Sequence, residues 1–243
     1  MNRSIRTPDD LLDLLDGVFA GPGGGADWWD RFYENRDRDV PFFVDKPDEN
    51  LAGHLESGRV PPGGRALDLG CGPGRNAVHL ARHGFDVDAV DLSATAVAWG
   101  RERAAAAGVD VRFHQGDIFT AHLPDGAYDL VYDSGCLHHL PPHRRLSYLA
   151  LLDRVLAPGG RFGLVCFAAG AEGSRTPDAQ LYRTGDLEGG LAFTPDELRY
   201  LFAEVAPEEI EVRPMAAQAA DAATYGVPIL LTALLRRPVA SAG

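Results

Sequence analysis

Leu67-Asp68-Leu69-Gly70-Cys71-Gly72-Pro73-Gly74-Arg75-Asn76 is the stretch that decides the fold of this 243-residue chain. It joins a short apolar run, RALDL from Arg65, to a segment with helical spacing, RNAVHLARHG, that ends at Gly84. A turn from strand to helix through so many glycines supplies residues that tolerate positive φ and leave the backbone open to a ligand. Asp68 lies inside the apolar run, so its carboxylate must find a partner.

Downstream the alternation repeats. DVDAVDL reads as a second strand, and SATAVAWGRERAAAAG as an Ala-rich helix capped by Ser93. VRFHQGD and YDLVYDSG read as strands three and four. The helix HRRLSYLALLDRVLA is predicted to stop at Pro158-Gly159-Gly160, before a fifth strand, RFGLVCFA. Thr194-Pro195-Asp196-Glu197 is a capping box that opens a helix to about Glu204. EEIEVRPM and VPILLTALLRR read as two last strands, with only residues 216–226 between them, so an antiparallel final pair is expected. The pattern predicts an α/β domain, doubly wound around a seven-stranded, mostly parallel sheet with an antiparallel last strand.

Upstream, residues 7–20 predict an amphipathic helix started by Thr7 and Pro8, and Gly21–Gly25 a flexible break. Residues 26–57 hold a second helical stretch rich in aromatics: Trp28, Trp29, Phe32, Tyr33, Phe42 and Phe43. We therefore expect residues 1–57 to form an N-terminal helical cap or lid, and residues 58–243 the main domain.

Composition narrows the function. The chain is 45% hydrophobic and 24% charged, ordinary values for a globular protein. Its mean hydropathy is −0.14, and neither a membrane-length apolar run nor a signal-peptide core is visible, which predicts a cytoplasmic protein with no membrane partner. Net charge is −12 with a pI near 5.0, which argues against a nucleic-acid partner. Cys71, Cys136 and Cys166 are scattered and form no disulfide framework. Oligomeric state, monomer or homodimer, stays open.

A second element accompanies the loop. The second strand ends in Asp91, about twenty residues on, where an acid can accept two hydrogen bonds from ribose hydroxyls. The loop reads GxGxG, with Arg75 where a dinucleotide fingerprint has its third glycine, which disfavours a dinucleotide. DLGCGPG, VDAVDLS, HQGDI, YDLVYDSGCLHHL and LAPGGRF, in this order over residues 64–168, resemble the motif series of class I S-adenosylmethionine-dependent methyltransferases. Within that family GCGPGRNAVHLARHGFDV is locally similar to the tellurite-resistance and thiopurine-type branch.

The resemblance implies a Rossmann-like fold and S-adenosyl-L-methionine as cofactor, with S-adenosyl-L-homocysteine as product. On the matching positions, Asp68, Gly70, Cys71, Gly72 and Asn76 would hold the amino-acid end of the cofactor. Asp91 would bind the ribose, Leu92 would pack on the adenine, and Asp117, within Gly116-Asp117-Ile118, would accept from the adenine amino group. Asp133 and Ser134 would flank the methionine portion. Asp at a strand end also serves as a cap or turn former, so Asp91 and Asp117 take their weight from occurring in one series.

Methyl transfer is an in-line displacement that asks mainly for alignment and exclusion of water. Trp29, Tyr33 and Phe43 are candidates to wall the acceptor, although aromatics at helical spacing also pack cores. In the loop Cys136-Leu137-His138-His139-Leu140-Pro141-Pro142-His143, His139 is the preferred general base. His138 stands behind it, His143 is a substrate contact, and Asp133 faces the acceptor. Pro141 and Pro142 argue against a metal site built from these histidines. The expected reaction is methylation of O, N or S of a small molecule. The alternatives are a thiol or chalcogen S-methyltransferase and, from another class, a non-methylating catalyst or sensor that keeps the cofactor. No Asn-Pro-Pro-aromatic tetrapeptide follows strand four, which tells against base or peptide-amide methylation.

Overall fold

The computed structural model describes residues 5–21, 25–38 and 40–239. The break expected at Gly21–Gly25 lies mostly outside them. Strands β1 (Arg65–Leu69), β2 (Asp86–Asp91), β3 (Arg112–Gln115), β4 (Tyr128–Ser134) and β5 (Leu156–Ala168) run parallel in the order β3-β2-β1-β4-β5. β8 (Leu230–Arg236) continues the sheet antiparallel to β5, and β7 (Glu208–Pro214) pairs antiparallel with β8. A two-residue strand, β6 (Ala192–Phe193), adds to the end of β5 and makes the sheet eight-stranded.

Helices α4 (Arg75–Arg82), α5 (Ala94–Ala107) and α6 (Arg144–Val155) form the crossovers. Their ends follow local chemistry. Ser93 Oγ accepts from Ala96 N at 3.0 Å to start α5, and left-handed Gly108 ends it. Thr194 and Glu197 make the anticipated reciprocal box at the start of α8 (Pro195–Phe202).

Period-two alternation sorts the strand residues to two faces. Leu67 and Leu69 of β1, Val131 of β4 and Phe162 and Leu164 of β5 join Tyr148, Leu152 and Phe202 in one apolar cluster. Ala66, Leu130, Tyr132 and Val165 face the other way and pack with Leu80 of α4, Val97 of α5 and Leu234 of β8. Both faces of β1 are buried, as a central parallel strand requires.

Several expectations need correction. α6 ends at Val155 rather than at Pro158-Gly159-Gly160. Leu156 already pairs with Tyr128, and the Pro-Gly-Gly run is absorbed into β5 as a register irregularity between Tyr128 and Leu130. A Cβ on Gly160 would stand 2.9 Å from Tyr128 O, so glycine permits that irregularity. Helices α3 (Glu49–Glu56) and α7 (Asp178–Thr184) and strand β6 are short elements that no side-chain cap or motif in the sequence announces.

The boundary drawn at residue 57 does not separate two bodies. Leu51 and Leu55 of α3 lie in the same cluster as Ala66, Leu80 and Val87. The N-terminal segment also divides in its role. α1 (Pro8–Asp16) buries no residue and is tied through Asp13 and Asp16 to Arg144 at the start of α6. α2 (Ala26–Glu34) instead packs on α5 beside the glycine loop. Among the described residues no helix is long and apolar enough to cross a membrane.

Candidate functional site

β1 brings its end to the carboxyl edge of the sheet, where ligands bind in open α/β folds. The chain then turns through Gly70, Gly72 and Gly74 at φ of 61°, 51° and 72°. Positive φ alone favours glycine here, and space demands it. A Cβ on Gly70 would stand 2.6 Å from the Cβ of Cys136, and one on Gly72 would stand 3.0 Å from the Tyr33 hydroxyl. Cys71 is buried and its backbone N donates to Val90 O at 3.0 Å, which pins the loop to β2.

Asp68 lies under this loop at 1% exposure, and its Oδ2 has no hydrogen-bond partner among the described residues. Burial lifts its carboxyl well above the ordinary range, against the pull of the Arg75 guanidinium. Such an atom is a site prepared for a donor or a cation.

Asp91 ends β2 at 7% exposure. One oxygen accepts from Gly72 N and the other from Ser93 N, both at 2.8 Å. Each oxygen keeps a free lone pair, so the carboxylate both shapes the loop and can accept from a ligand. Burial raises its pKa to about 6. Leu92 beside it is half-buried. Asp117 is exposed, and its Oδ1 accepts from Phe119 N at 2.9 Å in an Asx turn that leaves its other oxygen open. Gly116 N donates to Asp91 O at 2.9 Å, and Ile118 is buried. These groups therefore occupy one edge of the sheet, as the motif series implies.

Asp133 at the end of β4 is different. Its carboxylate accepts from Cys136 N at 2.7 Å, Leu137 N at 3.0 Å and Tyr148 Oη at 2.6 Å. Burial lifts it to about 6, and these donors hold it from rising further. It is fully buried and binds the turn that follows β4, so its side chain does not face an acceptor. Ser134 Oγ accepts from Arg75 Nη2 at 3.2 Å.

That turn is a 3-10 segment, Leu137–His139. His138 is buried and stacks on Phe167 at the end of β5, with ring centroids 4.0 Å apart. His139 is half-buried between Phe167 and Trp29, whose ring meets it edge-to-face at 5.1 Å. Burial pushes the His139 imidazole down to about 4 and holds His138 well below the ordinary range too, so both are neutral at pH 7. His143 leaves the group. Its Nδ1 lies 3.0 Å from Tyr182 Oη and its Nε2 2.8 Å from Asp16 Oδ1, so both ring nitrogens are engaged between α7 and α1. The expected substrate contact at His143 is thus a tertiary tie.

Asn76 is corrected in the same way. Its Oδ1 accepts from Asp48 N at 3.0 Å and its Nδ2 donates to Asp48 Oδ2 at 2.9 Å, which occupies the amide with an internal partner. Asp48 is fully buried and meets Arg75 Nη2 at 2.7 Å, while Tyr132 Oη donates to its Oδ2 at 2.8 Å. Asn50 Nδ2 donates to that phenol at 3.2 Å. Sequence reasoning missed this network, because Asp48 and Asn50 precede the motif by a long interval and nothing local marks them.

The aromatics of α2 cover the loop. Tyr33 is 6% exposed, with its hydroxyl over Gly72, and stacks on Phe43 at 5.6 Å and on Trp29 at 6.0 Å. Arg103 of α5 holds the approach, donating to Pro73 O, Phe43 O and Val44 O at 3.2–3.3 Å. Trp29, Tyr33 and His139 therefore meet above the glycine loop, with Phe43 behind Tyr33.

Comparison with known proteins fits this geometry. Residues 66–160 match the family model described as a methyltransferase domain. Over these residues the chain is thus similar to a methyltransferase domain. The stretch runs from β1 into β5 and includes the glycine loop and the strand ends bearing Asp91 and Asp133.

The chain is 32% identical over 159 residues to the 27-O-demethylrifamycin SV methyltransferase of Amycolatopsis mediterranei, covering 64% of this chain and 55% of that one. It is 31% identical over 128 residues to the 2-heptyl-1-hydroxyquinolin-4(1H)-one methyltransferase of Mycobacteroides abscessus, covering 52% and 56%. The alignment thus spans about half the length of these relatives.

Two solved structures share the fold of this stretch and its flanks. The Burkholderia thailandensis 1,6-didemethyltoxoflavin-N1-methyltransferase superposes with a TM-score of 0.60 at 21% identity, over 98% of this chain and 93% of that one. A protein of echinomycin biosynthesis, studied for the conversion of a disulfide bond into a thioacetal group, gives 0.68 at 22%, over 89% and 94%.

Proposed function

We propose that the protein is an S-adenosylmethionine-dependent methyltransferase acting on O, N or S of a small molecule. One observation carries this reading. Asp68 holds a fully buried carboxylate oxygen with no partner among the described residues, beneath a loop whose glycines leave no room for side chains, with Asp91 at the adjoining strand tip. The cofactor brings an ammonium and a sulfonium to this acidic crevice and two ribose hydroxyls to Asp91, so the donor set fits it. Bound there, it would supply an activated methyl group.

The chain's own residues do the rest. Asp68 receives the ammonium, Asp91 the hydroxyls, and Asp117 the adenine amino group, with Leu92 against the ring. His139, neutral at pH 7, accepts a hydrogen bond from an acceptor hydroxyl, orients its lone pair and takes up the proton that the hydroxyl gives up, passing it on to solvent. Trp29 and Tyr33 exclude water from above. Asp133 leaves the set of catalytic candidates, because its oxygens already bind the turn that carries the histidines.

A neutral hydroxyl or amine acceptor agrees better with this site than a chalcogen oxyanion. The ionisable groups about Cys136 are the carboxyls of Asp133, Asp91, Asp117 and Asp68, which repel an anion. The relatives named for a rifamycin and a hydroxyquinolone substrate support an O-methylation reading, and the toxoflavin enzyme an N-methylation one.

The test is calorimetric titration with S-adenosylhomocysteine, followed by a screen of phenols, amines and thiols with S-adenosylmethionine, read as S-adenosylhomocysteine formed. Binding without turnover on any acceptor class would favour the sensor or non-methylating reading. Absence of binding would end the proposal.

A further inference from the structure

Asp30 stands on α2 opposite the beginning of α5. Its Oδ1 accepts from Ser93 Oγ at 2.6 Å and from Thr95 N at 3.0 Å. A carboxylate here meets the free N–H groups and the positive end of the helix. The contact is therefore favourable, yet it joins two elements more than sixty residues apart in sequence.

Ser93 is a shared joint. Its backbone N donates to Asp91 Oδ1 at 2.8 Å, its Oγ accepts from Ala96 N at 3.0 Å to cap α5, and the same Oγ donates to Asp30. Asp91 in turn holds Gly72 N at 2.8 Å. A continuous chain of hydrogen bonds thus runs from α2, through the helix cap, to the residue that would hold the ribose and to the glycine loop.

What α2 carries makes that joint consequential. Asp30 lies one residue after Trp29, which meets His139, and three before Tyr33, whose hydroxyl stands over Gly72. Farther along, Arg36 forms a two-pronged pair with Glu102 of α5. That pair is exposed and weak, whereas Asp30 meets a helix end and a buried serine.

We propose that Asp30 is a latch that positions α2 as the cover of the cofactor crevice: its bond to the Ser93 cap holds Tyr33 over Gly72 and Trp29 on His139, and the cofactor enters and leaves when that bond breaks. The proposal rests on the methyltransferase reading and adds to it the residue that governs exchange. Asp30 touches no reacting atom and acts through α2.

The protein contains its own reporter. Its three tryptophans, Trp28, Trp29 and Trp99, all belong to the aromatic cluster between α2 and α5, so intrinsic fluorescence reads this region. The experiment is stopped-flow displacement of S-adenosylhomocysteine from the full chain, followed by tryptophan emission, for the native protein, Asp30→Ala and Asp30→Asn. The alanine variant loses the acceptor, and dissociation is expected to accelerate about tenfold. The asparagine oxygen can accept the same two bonds, so this variant should stay within about threefold of native. Melting temperatures of all three should agree closely, because Asp30 is not in the core.

Equal dissociation rates for native and Asp30→Ala overturn the latch while leaving the functional reading intact. Acceleration matched by a large drop in melting temperature also overturns it, since the residue is then a general support of the fold. If the native protein fails to bind S-adenosylhomocysteine in calorimetry, the functional reading falls first and the latch with it.

Discussion

Asp91 carries two duties in one carboxylate, and they have separable costs. Replacing it with alanine removes the ligand acceptor, expected to weaken S-adenosylhomocysteine binding by about 2–3 kcal/mol in calorimetry. Its pH behaviour follows from burial. The folded value near 6 lies above the ordinary 3.8, so the fold keeps a proton on Asp91 at pH 5 and yields it by pH 7. Ribose hydroxyls need the ionised form, so affinity should fall as pH drops through about 6, and Asp91→Asn should flatten that dependence. For folding the sign is opposite, and this group's contribution to stability fades as pH rises through the same value. His139→Ala should slow turnover on a hydroxylated acceptor by about ten- to a hundredfold in steady-state kinetics, with cofactor affinity nearly unchanged. At this scale the sequence located residues better than it assigned their duties. Asp68, Asp91 and Asp117 lie at or beside the strand ends where their motifs put them, and their duties toward a ligand are those proposed above. Asn76, Asp133 and His143 sit beside the same motifs, but side-chain direction depends on partners such as Asp48, Tyr148 and Asp16, which no local pattern reveals.

The strand-to-helix turn after β1 and the crossovers around it were legible, because each is encoded by its own neighbours. Gly70 shows why that code is strict. Gly70→Ala would face strain at φ of 61° and a Cβ 2.6 Å from that of Cys136. Cofactor binding should be lost in calorimetry, and the second change Cys136→Gly should restore part of it by clearing the contact. The elements missed were those whose reason to exist is tertiary. α3 starts at Glu49 because Asp48 must reach Arg75, Asn76 and Tyr132 in the interior. Gly163 makes room for the same phenol, since a Cβ there would come within 2.7 Å of the Tyr132 ring. Breaking this buried pair with Arg75→Met leaves Asp48 an uncompensated charge, expected to cost about 3–5 kcal/mol in chemical denaturation. The end of α6 was misplaced for a related reason: Leu156 leaves the helix to pair with Tyr128 before the proline and glycines arrive.

Taken as a whole, the chain folds around one sheet whose two faces draw on almost its full length. A truncation removing residues 1–20 takes away α1, which itself buries nothing, but also Asp16 from buried His143 and Phe19 from the edge of the core, and should lower the melting temperature by several degrees without abolishing cooperative unfolding. Removing residues 1–57 strips Leu51 and Leu55 from the core and Asp48 from Arg75, and should abolish cooperative unfolding. The N-terminal region is therefore part brace and part foundation, a division that composition cannot show. The crowding of Asp68, Asp91 and Asp133 near one loop has a consequence for direction. The Asp133 charge helps hold the Asp68 carboxyl up, and a crevice with such neighbours favours a positively charged guest. In the proposed reaction, donating the methyl turns a sulfonium into a neutral thioether, so the spent nucleoside would leave with one positive charge fewer than its precursor brought. On that reading the same crowding that recruits the fuel would loosen its grip on the ash, and expulsion would be a built-in part of each turnover.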